Sequence, residues 1–142
     1  MSGVLRVGVV GLGTVGAATV KLLCDQAPLL SLRCNKKIEV TAVSARDRSK
    51  NRGILMNGIT WYDDPMVIAN NEQVDVVVEL VGGSDGLAKD LVELAITNGK
   101  HVVTANKALI AHRGTALAES AERKGVVLAF EAAVAGGIPI LK

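Results

Sequence analysis

The chain has 142 residues, 49% of them hydrophobic and 21% charged, with a formal net charge of +2. That length supports one domain with a sizeable core and is too short for two. So small and scattered a charge excludes nucleic acid and membrane surfaces as electrostatic partners, and one Trp, one Tyr and one Phe make no platform for stacking bases.

The β-branched run at residues 4–10 predicts a strand. It leads into Gly11-Leu12-Gly13-Thr14-Val15-Gly16, a G-x-G-x-x-G turn, after which Val15, Ala18, Thr19 and Leu22 recur at helical spacing. In such a strand, turn and helix, Gly11 permits the turn, Gly13 lets the backbone approach a pyrophosphate, and Gly16 lets the helix pack on the strand. Free amides at the helix start, with the positive end of its dipole, make an anion site. This helix is expected to end near Cys24 or Asp25, with Pro28 discouraging continuation and an irregular or partly helical connection over 29–37.

Residues 38–43 predict the second strand, and a polar, basic stretch follows it to Gly53. A short third strand is expected near 59–62. Asp63 or Asp64 before Pro65 predicts a capped helix stopping at Asn70-Asn71. The nearly continuous β-branched run 74–81 suits a central strand covered on both faces, ending at Gly82-Gly83. Ser84 or Asp85 is expected to cap the next helix, with Leu87, Leu91, Leu94 and Ala95 as its apolar stripe and Asn98-Gly99 as its stop. A fifth strand at 101–104, a helix over 105–124 broken near Gly114, and a sixth strand at 126–130 complete the pattern. Strands alternating with helices predict an α/β fold: a doubly wound, mostly parallel sheet of six strands with helices on both faces. Residues 132–142 look like a helix cut off as it begins, so the chain reads as a fragment or as lacking a further domain.

Cys24 and Cys34 have no metal or redox spacing and read as reduced thiols. Arg6 interrupts the N-terminal apolar run, which does not fit a secretory signal, and no apolar stretch approaches the ~20 residues of a membrane span. By elimination the expected location is the cytoplasm.

In doubly wound sheets ligands lie outside the carboxyl ends of the strands, where the strand order reverses. After the second strand, Arg46, with Arg48, Lys50 and Arg52 behind it, suits the 2′-phosphate of NADP, although Asp47 among them leaves NAD open. Gly82-Gly83 would let a ribose or nicotinamide approach the backbone, and Ser84 offers a hydroxyl to the cofactor or to a helix cap. Lys107 would lie in the first turn of a helix, where a cation is disfavoured by a few tenths to about 1 kcal/mol unless something anionic or carbonyl-bearing sits opposite. Glu131 precedes a run of small residues with accessible carbonyls, oxygen donors of the kind hard cations take. His101 and His112 are isolated from any triad and read as structural or surface residues.

The glycine turn, the strand ending Glu79-Leu80-Val81-Gly82-Gly83, the segment Val102-Val103-Thr104-Ala105-Asn106-Lys107-Ala108-Leu109, and the run from Phe130 to Ile140 together resemble the nucleotide-binding domain of homoserine dehydrogenase. The resemblance covers essentially the whole chain. It implies a Rossmann-type NAD(P)-binding domain over 1–131, with 132–142 starting a hinge into a substrate domain. It further implies interconversion of L-homoserine and L-aspartate 4-semialdehyde in threonine, isoleucine and methionine synthesis. By the resemblance, Thr14 and Val15 lie against the cofactor, Arg46 meets the 2′-phosphate, and Lys107 contacts cofactor and substrate. The main acid/base lysine is then expected beyond Lys142. Glu131, Val134, Gly136 and Ile138 would form a sodium site near the hinge, and dimerisation would run through the further domain. Two rival readings are a non-catalytic nucleotide-sensing module on the same fold and a related amino-acid dehydrogenase.

Overall fold

The computed structural model describes residues 3–138. In chain order these form β1 (Val4–Val10), α1 (Thr14–Asp25), α2 (Ala27–Cys34), β2 (Lys37–Ser44), β3 (Thr60–Trp61), α3 (Met66–Asn70), β4 (Val76–Glu79), α4 (Leu87–Thr97), β5 (His101–Thr104), α5 (Lys107–Lys124) and β6 (Leu128–Ala129). The six strands make one sheet in the order β3-β2-β1-β4-β5-β6, and every neighbouring pair is parallel. The order reverses between β1 and β4, which places the topological switch point beside the glycine turn.

The pleat divides the core in two. Val7 and Val9 of β1, with Val40, Val43, Val76 and Val78, bury one face beneath Val20 of α1. Val10, Ala42, Val77 and Val102 point the other way, against Ile68 of α3, Leu91 and Ile96 of α4, and Leu109 and Leu117 of α5. Strands buried on both faces have no polar alternation, which is why β4 reads as a continuous valine run. Gly8 belongs to the second face, where a β-carbon would collide with Ile68.

Several boundaries differ from the sequence-based expectation, each for a local reason. Pro28 does more than limit α1: it lies in the first turn of α2, where its missing N–H is no loss. Gly114 does not break α5, whose 18 residues run from the Asn106 cap to left-handed Gly125. The buried stripe of α4 is Ala88, Leu91, Val92, Ala95 and Ile96, while Leu87 is 42% exposed. Ser84 and Asp85 do not cap this helix. Its cap position is Gly86 at φ 67°, and Asp85 is turned instead toward Arg113 on α5, 2.8 Å away. Asp64 does act at the start of α3, accepting from the Met66 amide at 2.9 Å. The expected helix start after Glu131 consists of two 3-10 turns, Glu131–Ala133 and Ala135–Gly137; Pro139 to Lys142 lie outside the described residues.

At the amino edge of the sheet, Arg6 fastens β1 to β4. Its Nε and a terminal nitrogen donate to both oxygens of Asp75 at 3.0 and 2.9 Å, and its backbone amide donates to the same carboxylate at 2.8 Å. Hydrogen bonds from Arg6 hold the Asp75 carboxyl below the usual carboxylate range, against the opposing effect of partial burial. This stabilisation is fully present above the ordinary carboxylate pKa of about 4 and is lost as the pH falls through the lower folded-state value. Asp75→Asn is therefore expected to lower the urea midpoint at pH 7, and the gap from wild type should close as the pH falls below about 4. A gap independent of pH would show that the ionised carboxylate is not what stabilises the strand pair.

Candidate functional site

The site is built on the carboxyl edge, where the β1 turn, the loop after β2, the loop after β4 and the start of α5 converge. The three turn glycines do different work. Gly11 sits at φ 95°, and a β-carbon there would lie 2.6 Å from the Leu80 carbonyl oxygen. A β-carbon on Gly16 would overlap the Gly11 carbonyl oxygen, so only glycine lets α1 start this close to the end of β1. Gly13 meets nothing within 4 Å and faces open space. It is the cap position of α1, with no side chain bonded to the first-turn amides and no acidic residue in that turn. The result is a set of main-chain donors with the positive end of a helix dipole behind them, a cradle with room for a diphosphate. Val15 stands in the same turn and is 61% exposed, an apolar wall beside that cradle.

On the β2 side, Gly11 N donates to the Ser44 carbonyl at 2.9 Å, tying the turn to the loop that carries the basic residues. Arg46 is exposed and takes part in no ion pair among the described residues. Asp47 is folded into its own loop, accepting from the Ser49 hydroxyl at 2.6 Å and the Ser49 amide at 2.9 Å. These bonds hold its carboxyl below the usual range. Arg52 donates from Nε to the Leu12 carbonyl at 2.8 Å and lies 5.5 Å above the centre of the Trp61 ring. The loop is thus strapped to the glycine turn by Arg52, which the sequence shows only as one of the basic residues behind Arg46. Beside it lies a cavity of about 320 Å³ lined by Leu12, Arg48, Lys50, Arg52, Met56 and Trp61; Arg46 is outside that lining.

On the β4 side the chain turns through Gly82 and Gly83 at φ 87° and 91°, then through Gly86. Ser84 donates to Asp85 at 2.9 Å, and the carboxyl of Asp85 is held below its ordinary range first by Arg113 and then by Ser84. Lys107 is the first residue of α5 and is exposed. Asn106 caps that helix by accepting from Leu109 N at 3.1 Å, and its amide group donates to the Gly83 carbonyl at 2.6 Å. The first turn of α5 and Gly83 are therefore joined through a single side chain.

Beneath them lies a residue the chemistry-led reading passed over. Glu79, at the end of β4, is fully buried. One carboxylate oxygen accepts from the amides of Val81 and Gly82 at 2.7 and 3.1 Å, and the other accepts from Thr104 Oγ1 at 2.6 Å. Thr104 in turn accepts from Asn106 N at 3.0 Å. A carboxylate closing a β-branched run just before Gly-Gly was the available signal, since a buried charge requires donors around it.

Of the other candidates, His101 accepts from Val127 N at 3.0 Å and is structural, and His112 is exposed. Glu131, Val134, Gly136 and Ile138 fall within one short segment in which Ala135 and Gly136 have left-handed backbones at φ 49° and 66°. The described residues contain no group of three or more His, Cys, Asp or Glu able to hold a metal, so oxygen donors here would be one carboxylate and main-chain carbonyls.

Residues 11–131 match the family model described as homoserine dehydrogenase, NAD binding domain. The chain belongs to this homoserine dehydrogenase family. It is 49% identical over 138 residues to homoserine dehydrogenase of Pseudomonas aeruginosa, covering 97% of this chain and 31% of the relative. The Bacillus subtilis enzyme is 38% identical over 138 residues, covering 97% of this chain and 32% of that protein. Among solved structures, a homoserine dehydrogenase from Thiobacillus denitrificans superposes with a TM-score of 0.89 at 42% identity, covering 98% of this chain and 32% of that one. That of S. aureus gives 0.87 at 36% identity, with 97% and 34% covered. The chain spans about a third of the length of the homoserine dehydrogenases it matches, and the part it spans is their nicotinamide-cofactor domain.

The glycine geometry separates binding from folding. Gly13→Ala should cost less than about 1 kcal/mol of stability, since alanine is a poorer cap, yet should weaken nicotinamide dinucleotide binding by filling the space over the amides. Gly16→Ala should destabilise the fold by about 3 kcal/mol or more, because backbone must move. Thermal melts and calorimetric titration with cofactor distinguish the two; equal behaviour of both variants in both assays would refute the assignment.

Proposed function

We propose that this chain is the cofactor-holding part of an NADP-preferring enzyme that interconverts L-homoserine and L-aspartate 4-semialdehyde, a cytoplasmic reaction of threonine, isoleucine and methionine synthesis. The observation that carries the reading is the coincidence of the open amide cradle at Gly13 with a family match running from residue 11 to residue 131. In this reading residues 1–131 are the NAD(P)-binding domain and 132–142 begin a hinge into a substrate and dimerisation domain, through which the whole protein forms a homodimer. The end of the family match at residue 131 supports that boundary.

When bound, the cofactor exchanges a hydride with the carbon that is aldehyde in one substrate and alcohol in the other. The residues of this chain bind and orient. First-turn amides of α1, at Thr14 and Val15, hold the diphosphate. Arg46 pairs with the 2′-phosphate, while Asp47, the residue that would favour an unphosphorylated ribose, is spent on Ser49. Gly82, Gly83 and Ser84 let the nicotinamide half lie close to the backbone. Lys107 places an ammonium at the start of α5 to meet oxygens of cofactor and substrate. The general acid or base that serves the substrate oxygen comes from outside these 142 residues, so this chain alone binds cofactor and turns over little.

The Glu131 carboxylate and the carbonyls of Val134, Gly136 and Ile138 would hold a sodium ion. An all-oxygen set with a single charge suits a hard monovalent cation, which would stiffen the start of the hinge.

The test is a comparison of NADPH and NADH. Arg46→Ala is expected to weaken NADPH by about tenfold or more, as loss of a charge-assisted bond does, and to leave NADH nearly unchanged. Equal weakening of both would remove Arg46 from cofactor discrimination, and normal homoserine oxidation by this chain alone would overturn the fragment reading.

A further inference from the structure

The buried carboxylate of Glu79 has no part in contacting a ligand, because no portion of it is exposed. Its bonds nevertheless all lead to the ligand-facing edge. The sheet register sets Glu79 opposite Thr104, so the two side chains meet across β4 and β5. From there one branch goes to the amides of Val81 and Gly82, and the other passes through Thr104 to the Asn106 amide. Asn106 closes the circuit on Gly83 with one side-chain atom and caps α5 with the other. All three donors to Glu79 fit an acceptor-only carboxylate, and the short hydroxyl contact is of the charge-assisted kind.

The loop so held needs holding. Gly82, Gly83 and Gly86 all have positive φ, in a segment whose glycines would otherwise sample many conformations. A strand this deeply covered would accept an apolar residue at position 79 without the cost of burying a charge. The carboxylate is placed where it serves the loops, not the sheet. We infer that Glu79 is a positioning residue for the nicotinamide half of the site: through Thr104 and Asn106 it sets the glycine loop 82–83 and the start of α5 in one fixed relation, so that Lys107 and the loop backbone engage the same ligand. This rests on the dinucleotide-binding reading above. The adenosine half, built on the glycine turn and the loop after β2, contains none of these bonds.

The experiment separates the halves with two probes, NADPH and 2′,5′-ADP, titrated calorimetrically into the 142-residue chain. Thr104→Val removes the hydroxyl that links Glu79 to Asn106, and Thr104→Ser keeps it. Thr104→Val is expected to weaken NADPH about tenfold while changing 2′,5′-ADP by less than about twofold, with Thr104→Ser near wild type. Should Thr104→Val fail to fold, Asn106→Ser serves: serine is a good cap for α5 but too short to hold Gly83, and the same selective loss is expected. NADPH affinity unchanged in the folded variant, or both probes weakened alike, would overturn the inference while leaving dinucleotide binding intact. A wild-type chain that binds neither probe would overturn dinucleotide binding itself, and the inference with it.

Discussion

Contact between main chain and main chain at the end of β1 governs the arrangement of this molecule. Gly16 lies so close to the Gly11 carbonyl that no side chain fits between α1 and its own strand, and a β-carbon on Gly11 would in turn crowd the Leu80 carbonyl beyond β4. Three segments therefore meet as bare backbone at the boundary where the sheet order reverses. The amides of α1 have one direction in which to point, and it is the crevice between β1 and β4. Main-chain donors open to solvent at this place follow from the absence of side chains, with no cationic residue required.

The two sides of that crevice are stiffened by different chemistry. On the β2 side the charges are exposed and screened by solvent, and order comes from a few long-range ties: Arg52 to the Leu12 carbonyl, and Gly11 N to Ser44. On the β4 side order comes from a buried chain of hydrogen bonds that starts on a carboxylate and ends on a helix cap. A screened surface loop adapts to what it binds, whereas a buried, fully satisfied network holds one geometry.

Much of this was legible along the chain because it depends on local regularities. Valine runs announced strands covered on both faces, and glycine spacing announced the turn. Local reasoning went wrong where competing local options existed. Ser84 and Asp85 are good caps by type, yet a left-handed Gly86 follows them, and Arg113 from a distant helix claims Asp85. Gly114 is a helix breaker by type, yet α5 is anchored at both ends and packed along Leu109, Leu117 and Ala121.

The order of residues by itself determined the alternation of strands with helices, the parallel α/β class and the glycine turn, since each follows from side-chain size, backbone freedom or periodicity within a few neighbours. Only the tertiary structure decided that Glu79 faces Thr104, that Arg52 reaches Leu12, and that Arg6 closes on Asp75. Those partners lie 25, 40 and 69 positions apart. A hydrogen bond needs its two atoms within about 3 Å, and that proximity is set by strand register and loop path, which no short stretch of sequence encodes.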